Sequence, residues 1–172
     1  MIQRFVIGKP FPTESVVLPV EPAAAAVPYL TAEPDGSWSF SLAEDAVVYG
    51  LGEMPRGINK RGWHYVTDNT DESHHGENRL SYYGAHNFLL IDGGAGRSVF
   101  GVFVDFPGKV FYDIGYTRHD RLTFRTEEPD YDLYILTGDS PNAVCTEFRK
   151  LIGHSYIPPK WAFGFAQSRW GY

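Results

Sequence analysis

The sequence predicts a mainly β protein: an antiparallel β-sandwich with one helix towards its C-terminus, then the start of a different architecture. Three observations carry this. Short apolar and β-branched runs recur between turn signals about every 8–12 residues, the spacing of a sandwich. Aromatic residues make up 16% of the 172 residues, and 18 glycines and 12 prolines supply frequent turns. Only one segment carries the apolar periodicity of a helix.

Residues 10–36 read as irregular. Pro10, Pro12, Pro19, Pro22, Pro28 and Pro34 interrupt any long element, and Ala23 to Ala26 is too short for a helix. Pro34-Asp35-Gly36 is a turn signal, and Trp38 to Leu42 alternates at period two, as a strand does. Ala46 to Glu53 is a second strand that breaks up at its glycines. Residues 54–82 are polar and aperiodic and read as one long loop; loops beyond about 12–15 residues are uncommon unless functional or disordered. Strands follow at Ala85 to Ile91, Ser98 to Phe106, Lys109 to Ile114, Arg121 to Thr126 and Asp130 to Leu136, separated by Asp92-Gly93-Gly94, Pro107-Gly108 and similar turns.

The helix spans Ser140 to Ile152. Ser140 can cap it, Pro141 suits the first helical position, and Gly153 can end it. Val144, Phe148, Leu151 and Ile152 give it one apolar face. Pro158-Pro159 then enforces an extended linker. The run Trp161-Ala162-Phe163-Gly164-Phe165-Ala166 reads as a strand apolar enough for the middle of a parallel sheet. Such a strand expects partners, so the chain reads as the front of a larger protein.

Composition excludes some function classes. The net charge is −6 and no Lys/Arg block occurs, which argues against a nucleic-acid surface. No apolar stretch approaches the ~20 residues needed to cross a bilayer, and Met1 to Lys9 lacks the apolar core of a secretory signal. One cysteine, Cys145, excludes an intrachain disulfide and fits a reducing compartment. A cytoplasmic protein without membrane or nucleic-acid partners is the expectation. Cys145 is expected as a small core residue. Tyr112, Tyr116, Tyr131 and Tyr134 are expected to pack in the sandwich with their hydroxyls at its edges.

The long loop holds the densest polar cluster, from Asp68, Asn69, Thr70, Asp71 and Glu72 to His74, His75, Glu77, Asn78 and Arg79. Three readings stand side by side. His74, His75 and a carboxylate are metal-ligand types, although adjacent histidines on an extended chain point opposite ways. The loop can be merely solvated. Or its carboxylates and amides, near Trp63 and Tyr65, can contact a hydroxyl-rich ligand. Asp68 and Asp71 are the best local carboxylate pair, but nothing in the spacing makes them an acid–base couple. Ser168 lacks a nucleophile-elbow context, and Gly50-Leu51-Gly52-Glu53 lacks the third glycine of a dinucleotide fingerprint.

Four segments, Val48-Tyr49-Gly50-Leu51-Gly52-Glu53, Tyr83-Gly84-Ala85-His86-Asn87-Phe88, Gly101-Val102-Phe103-Val104-Asp105 and Pro158 to Phe165, in this order resemble glycoside hydrolase family 31, most nearly its bacterial α-glucosidases. The resemblance implies a galactose-mutarotase-like β-sandwich over residues 1–157, with a substrate loop at 54–82. It further implies the first strand of a truncated (β/α)8 barrel over 158–172. It implies retaining hydrolysis of α-glycosidic bonds, with an α-gluco-oligosaccharide as substrate and no cofactor. Retention needs two carboxylates ~5–5.5 Å apart. Both family aspartates lie downstream, and the Trp-x-Asp-Met-Asn-Glu type of nucleophile motif does not occur here. The fragment itself is therefore expected to hold no catalytic residue, no metal and no hydrolase activity, and to depend on the missing barrel.

By the same resemblance, an aspartate of the loop contacts substrate hydroxyls: Asp71 first, Asp68 second. Trp170, in Arg169-Trp170-Gly171-Tyr172, matches a pocket-lining strand end where maltase-like members tend to have tyrosine. The larger indole implies a preference shifted towards α-1,6 linkages. Alternatives are a stand-alone carbohydrate-binding sandwich and a purely structural or interaction domain. The apolar last segment argues against both, since an unpaired strand is a sticky edge. That segment is expected to be disordered, docked on the sandwich or paired with another copy, a homo-oligomer being one possible form.

Overall fold

Among the described residues, ten strands and one α-helix follow one another along the chain. The computed structural model describes residues 1–71 and 73–168. In chain order the strands are β1 (Ile2–Ile7), β2 (Thr31–Ala32), β3 (Trp38–Ser41), β4 (Val47–Gly52), β5 (Trp63–Thr67), β6 (Ala85–Asp92), β7 (Val99–Asp105), β8 (Val110–Ile114), β9 (Arg121–Thr126) and β10 (Tyr131–Gly138). Helix α1 (Pro141–Ile152) follows. One sheet has the order β1-β10-β7-β6-β4 and the other β2-β3-β9-β8-β5. Neighbouring strands are antiparallel throughout.

Alternation along each strand builds the core between the sheets. Leu133 and Ile135 of β10, Val102 and Val104 of β7 and Leu89 and Ile91 of β6 face Val110, Tyr112 and Ile114 of β8 and Leu122 and Phe124 of β9. The first sheet is apolar on its other face too, where Phe88, Leu90, Phe103, Tyr134 and Leu136 meet α1. Val144 and Leu151 are its buried residues, and Phe148 stacks on Phe88 with ring centroids 3.9 Å apart and planes 5° apart. The Ser140 hydroxyl caps the helix by accepting from Ala143 N at 3.3 Å. Gly101 is required where helix meets sheet, because a Cβ there would strike the Phe88 ring and Val144.

The rest of this outer face lies under a strap formed by residues 10–22. Val17 N and Leu18 N both donate to the carbonyl of Leu151, and Ala23 N to that of Arg4. Beneath the strap Asp105 and Asp132 stand directly opposite each other on β7 and β10. Arg4 pairs with Asp132 at 2.8 Å, and the Thr13 hydroxyl lies 2.7 Å from Asp105. Burial pushes the Asp105 carboxyl up from its ordinary pKa, with the Thr13 hydrogen bond opposing.

The strands predicted between Trp38 and Leu136 all form within a few residues of the expected limits, and so does the helix. Several expectations are corrected. β1, β2 and β5 were not anticipated, and β5 divides the expected loop 54–82 by pairing with β8. Lys160–Phe163 forms a 3-10 turn and no strand follows to residue 168, because no neighbouring strand supplies hydrogen-bond partners. Cys145 is exposed, one position off the buried stripe set by Val144. Tyr116 is exposed in the turn after β8, whereas Tyr112, Tyr131 and Tyr134 are buried. No described helix is long and apolar enough to cross a membrane.

Candidate functional site

The connection from β5 to β6 folds back on itself as a hairpin rooted in the second sheet. Val66 N donates to Leu80 O at 3.2 Å, and Thr70 N to Tyr82 O at 3.0 Å. Asp68 N donates to the Ser81 hydroxyl at 3.3 Å, and Ala85 N to Asn69 Oδ1 at 2.6 Å. Glu53 N reaches Gly84 O, which ties the base to the end of β4. At the far end the Tyr82 hydroxyl donates to Gly76 O at 3.0 Å.

Asp68 and Asp71 end up in different situations. Asp68 sits at the root, 2.9 Å from Lys109 Nζ of the loop before β8, with side chains 37% and 45% exposed. The hydrogen bond and charge of Asp68 raise the Lys109 pKa, so the ammonium stays charged at neutral pH. Asp71 is exposed nearer the tip, and no hydrogen bond or ion pair ties it to the described residues. Glu72 and Trp170 lie outside the described residues. Trp63 is half-exposed, but Tyr65 points into the core and offers no ring face to a ligand at the hairpin.

The two histidines do not converge on a metal. The Ser73 hydroxyl lies 3.1 Å from His74 Nδ1, and the His75 ring packs against Tyr82 and Tyr83 at 5.0 and 5.4 Å. Among the described residues no three His, Cys, Asp or Glu come together as a ligand set.

The Asp68–Lys109 pair stands between two open clefts. One, of about 450 Å³, is lined by Asn69, His86, Asn87, Phe106 and Glu127 as well as by the pair. The other, of about 600 Å³, lies towards Thr70, Asn78, Ser81 and Phe111. Both are rich in hydrogen-bonding groups and can receive hydroxyls. Lys109, Glu127 and Asn87 escaped the sequence reading. They stand apart in the chain and meet only through the pairing of β8 with β9 and of β6 with β7.

Residues 23–113 match the model of the glycosyl hydrolase 31 N-terminal galactose mutarotase-like domain. The chain belongs to this family. Over 136 residues it is 33% identical to α-glucosidase 2 of Bacillus thermoamyloliquefaciens, covering 77% of this chain and 17% of that protein. Over 124 residues it is 32% identical to an α-xylosidase of Lactiplantibacillus pentosus, covering 72% and 15%. The solved family 31 dextranase of Flavobacterium johnsoniae, complexed with isomaltotriose, superposes with a TM-score of 0.67 at 25% identity over 82% of this chain and 17% of that one. The family 31 domain described here thus spans less than a fifth of the length of each of these relatives.

Proposed function

We propose that this chain is the N-terminal part of a retaining α-glucosidase that removes terminal α-linked glucose from oligosaccharides of the isomaltose or maltose type. Residues 1–157 form the sandwich and residues 158–172 begin the catalytic barrel. The hairpin leans over the barrel mouth and presents Asp71, whose carboxylate accepts hydrogen bonds from two hydroxyls of the bound sugar. One observation carries this reading: the hairpin is pinned at its root, while the carboxylate near its tip is left unengaged by the described residues. The exposed Tyr156, Ile157, Trp161, Phe163 and Phe165 support a covering partner, because so large an apolar surface favours burial. Asp71 and Asp68 act in binding only, and the catalytic aspartates belong to the barrel.

Glucose release from isomaltose and maltose, by the 172-residue chain and by the protein extended through the barrel, tests the proposal. Only the extended protein is expected to be active. Asp71→Ala in it should lower kcat/KM about tenfold or more, the loss of a charged hydrogen bond, and leave the unfolding midpoint unchanged. Hydrolysis by the 172-residue chain alone would overturn the proposal. An α-xyloside run beside these substrates checks the terminal sugar, since one relative is named an α-xylosidase. Trp170→Tyr should lower the isomaltose-to-maltose rate ratio, and an unchanged ratio removes the α-1,6 preference.

A further inference from the structure

The connection between β4 and β5 holds a cationic cluster for which the described residues supply no anion. Lys60 is only 5% exposed, and its N–H donates to Val48 O at 2.8 Å. Its ammonium lies 5.6 Å from the centre of the Tyr65 ring and has no hydrogen bond or ion pair to any described residue. Arg56 approaches the same ring, its Cζ 5.3 Å from the Tyr65 centroid and 4.2 Å from that of Trp63. Arg56 Nη1 donates to His64 O at 3.1 Å, whereas Arg56 Nε and the Tyr65 hydroxyl are buried without a partner among the described residues.

Buried lysines are almost always paired, because desolvating an ammonium is costly. Here the charge that acts on it among the described residues, Arg56, has the same sign. Burial lowers the Lys60 pKa, the Arg56 charge lowers it further, and no carboxylate among the described residues acts in the opposite direction. Arg56 also holds a left-handed backbone, φ 73°, which a long side chain adopts only when its surroundings enforce it. Three donors of different kinds, an ammonium, a guanidinium N–H and a phenol, thus gather around Tyr65. That donor set suits an oxygen anion, which accepts several charge-assisted hydrogen bonds at once.

We propose that Lys60, Arg56 and the Tyr65 hydroxyl form a receptor for a single oxyanion, a carboxylate or phosphate group. Two sources share this chemistry: an acidic side chain from a further part of the parent protein, or a free small anion. The inference is independent of the hairpin and of the proposed hydrolase activity.

Lysine-selective isotope labelling lets the Lys60 amine be titrated by NMR in the 172-residue chain and in the extended protein, with and without inorganic phosphate. If the source is a free anion, phosphate raises the Lys60 pKa in both proteins. If it is a side chain of the parent, phosphate raises it in the short chain alone, and in the extended protein it is already raised and indifferent to phosphate. Arg56→Gln should weaken phosphate binding about tenfold or more. Lys60→Met keeps the buried stem, and phosphate should then no longer raise the melting temperature. A Lys60 pKa equal in both proteins and unmoved by phosphate or acetate overturns the proposal, leaving a lysine buried only for its aliphatic stem.

Discussion

The two sheets share one core, yet their outer faces differ. In β7 and β10 of the first sheet, burial is continuous except at strand ends, since the opposite sheet covers one face and α1 with the strap covers the other. In β8 and β9 burial alternates, with Phe111, Asp113, Thr123 and Arg125 only half-covered or exposed. A sheet covered twice can offer solvent little beyond its edges. A sheet covered once keeps a wet face, and the second sheet is the one that carries Lys109, Glu127 and the roots of the hairpin. Scaffold and presentation are thus divided between the layers.

Removing the second cover should have the largest effect. Phe88→Ala empties the stack beneath Phe148 and should destabilise the chain by about 3–5 kcal/mol in urea unfolding. Phe111→Ala on the wet face loses mainly its contact with Arg125, whose Cζ lies 4.2 Å from the ring, and should cost less than half as much. Equal losses would break the comparison.

A smaller effect is expected beneath the strap. Burial raises the Asp105 pKa above its unfolded value of 3.8, while Thr13 and Arg4 oppose and Asp132 adds to the rise. Between those two values the folded state holds a proton that the unfolded chain has released. The resulting stability is complete below the unfolded pKa and is lost as pH rises through the folded one. Asp105→Asn should therefore raise the melting temperature at neutral pH and converge with the parent in acid. A lower melting temperature at pH 7 would show that the ionised carboxylate is needed there.

The smallest effect belongs to the hairpin root. Asp68 and Lys109 are both more than one third exposed, so a double-mutant cycle with Asp68→Asn and Lys109→Met should give a small coupling that fades with salt. A large coupling that salt does not weaken would mark the root as a structural anchor equal to the helix.

The same contrast governs what the sequence could disclose. Strands of the singly covered sheet, such as Val110–Ile114, display alternation, and those of the doubly covered sheet display apolar runs between turns. β1 shows neither pattern, because Arg4 and Gln3 interrupt it and Arg4 is half-buried through its pair with Asp132 rather than by apolar contact. β5 did carry a signal, the aromatic and β-branched run Trp63-His64-Tyr65-Val66-Thr67, but it lies within a polar stretch that masks it. The apolar run from Trp161 carries strand propensity, yet without a neighbouring strand the described residues up to 168 form none. Of the candidate site, the polar loop was legible as composition. That Asp68 is bound and Asp71 is not depends on Lys109, placed by pairing across distant segments.

β1 has consequences for the order in which the molecule can be made. Among the described residues its only neighbour in the sheet is β10, and the bond from Thr137 N to Met1 O closes a separation of 136 residues. On a chain synthesised from its N-terminus, the first strand can meet the strap at Arg4 early, but it has no partner in its sheet until nearly everything else in the sandwich has been made. Its ladder waits through most of synthesis for β10 to emerge.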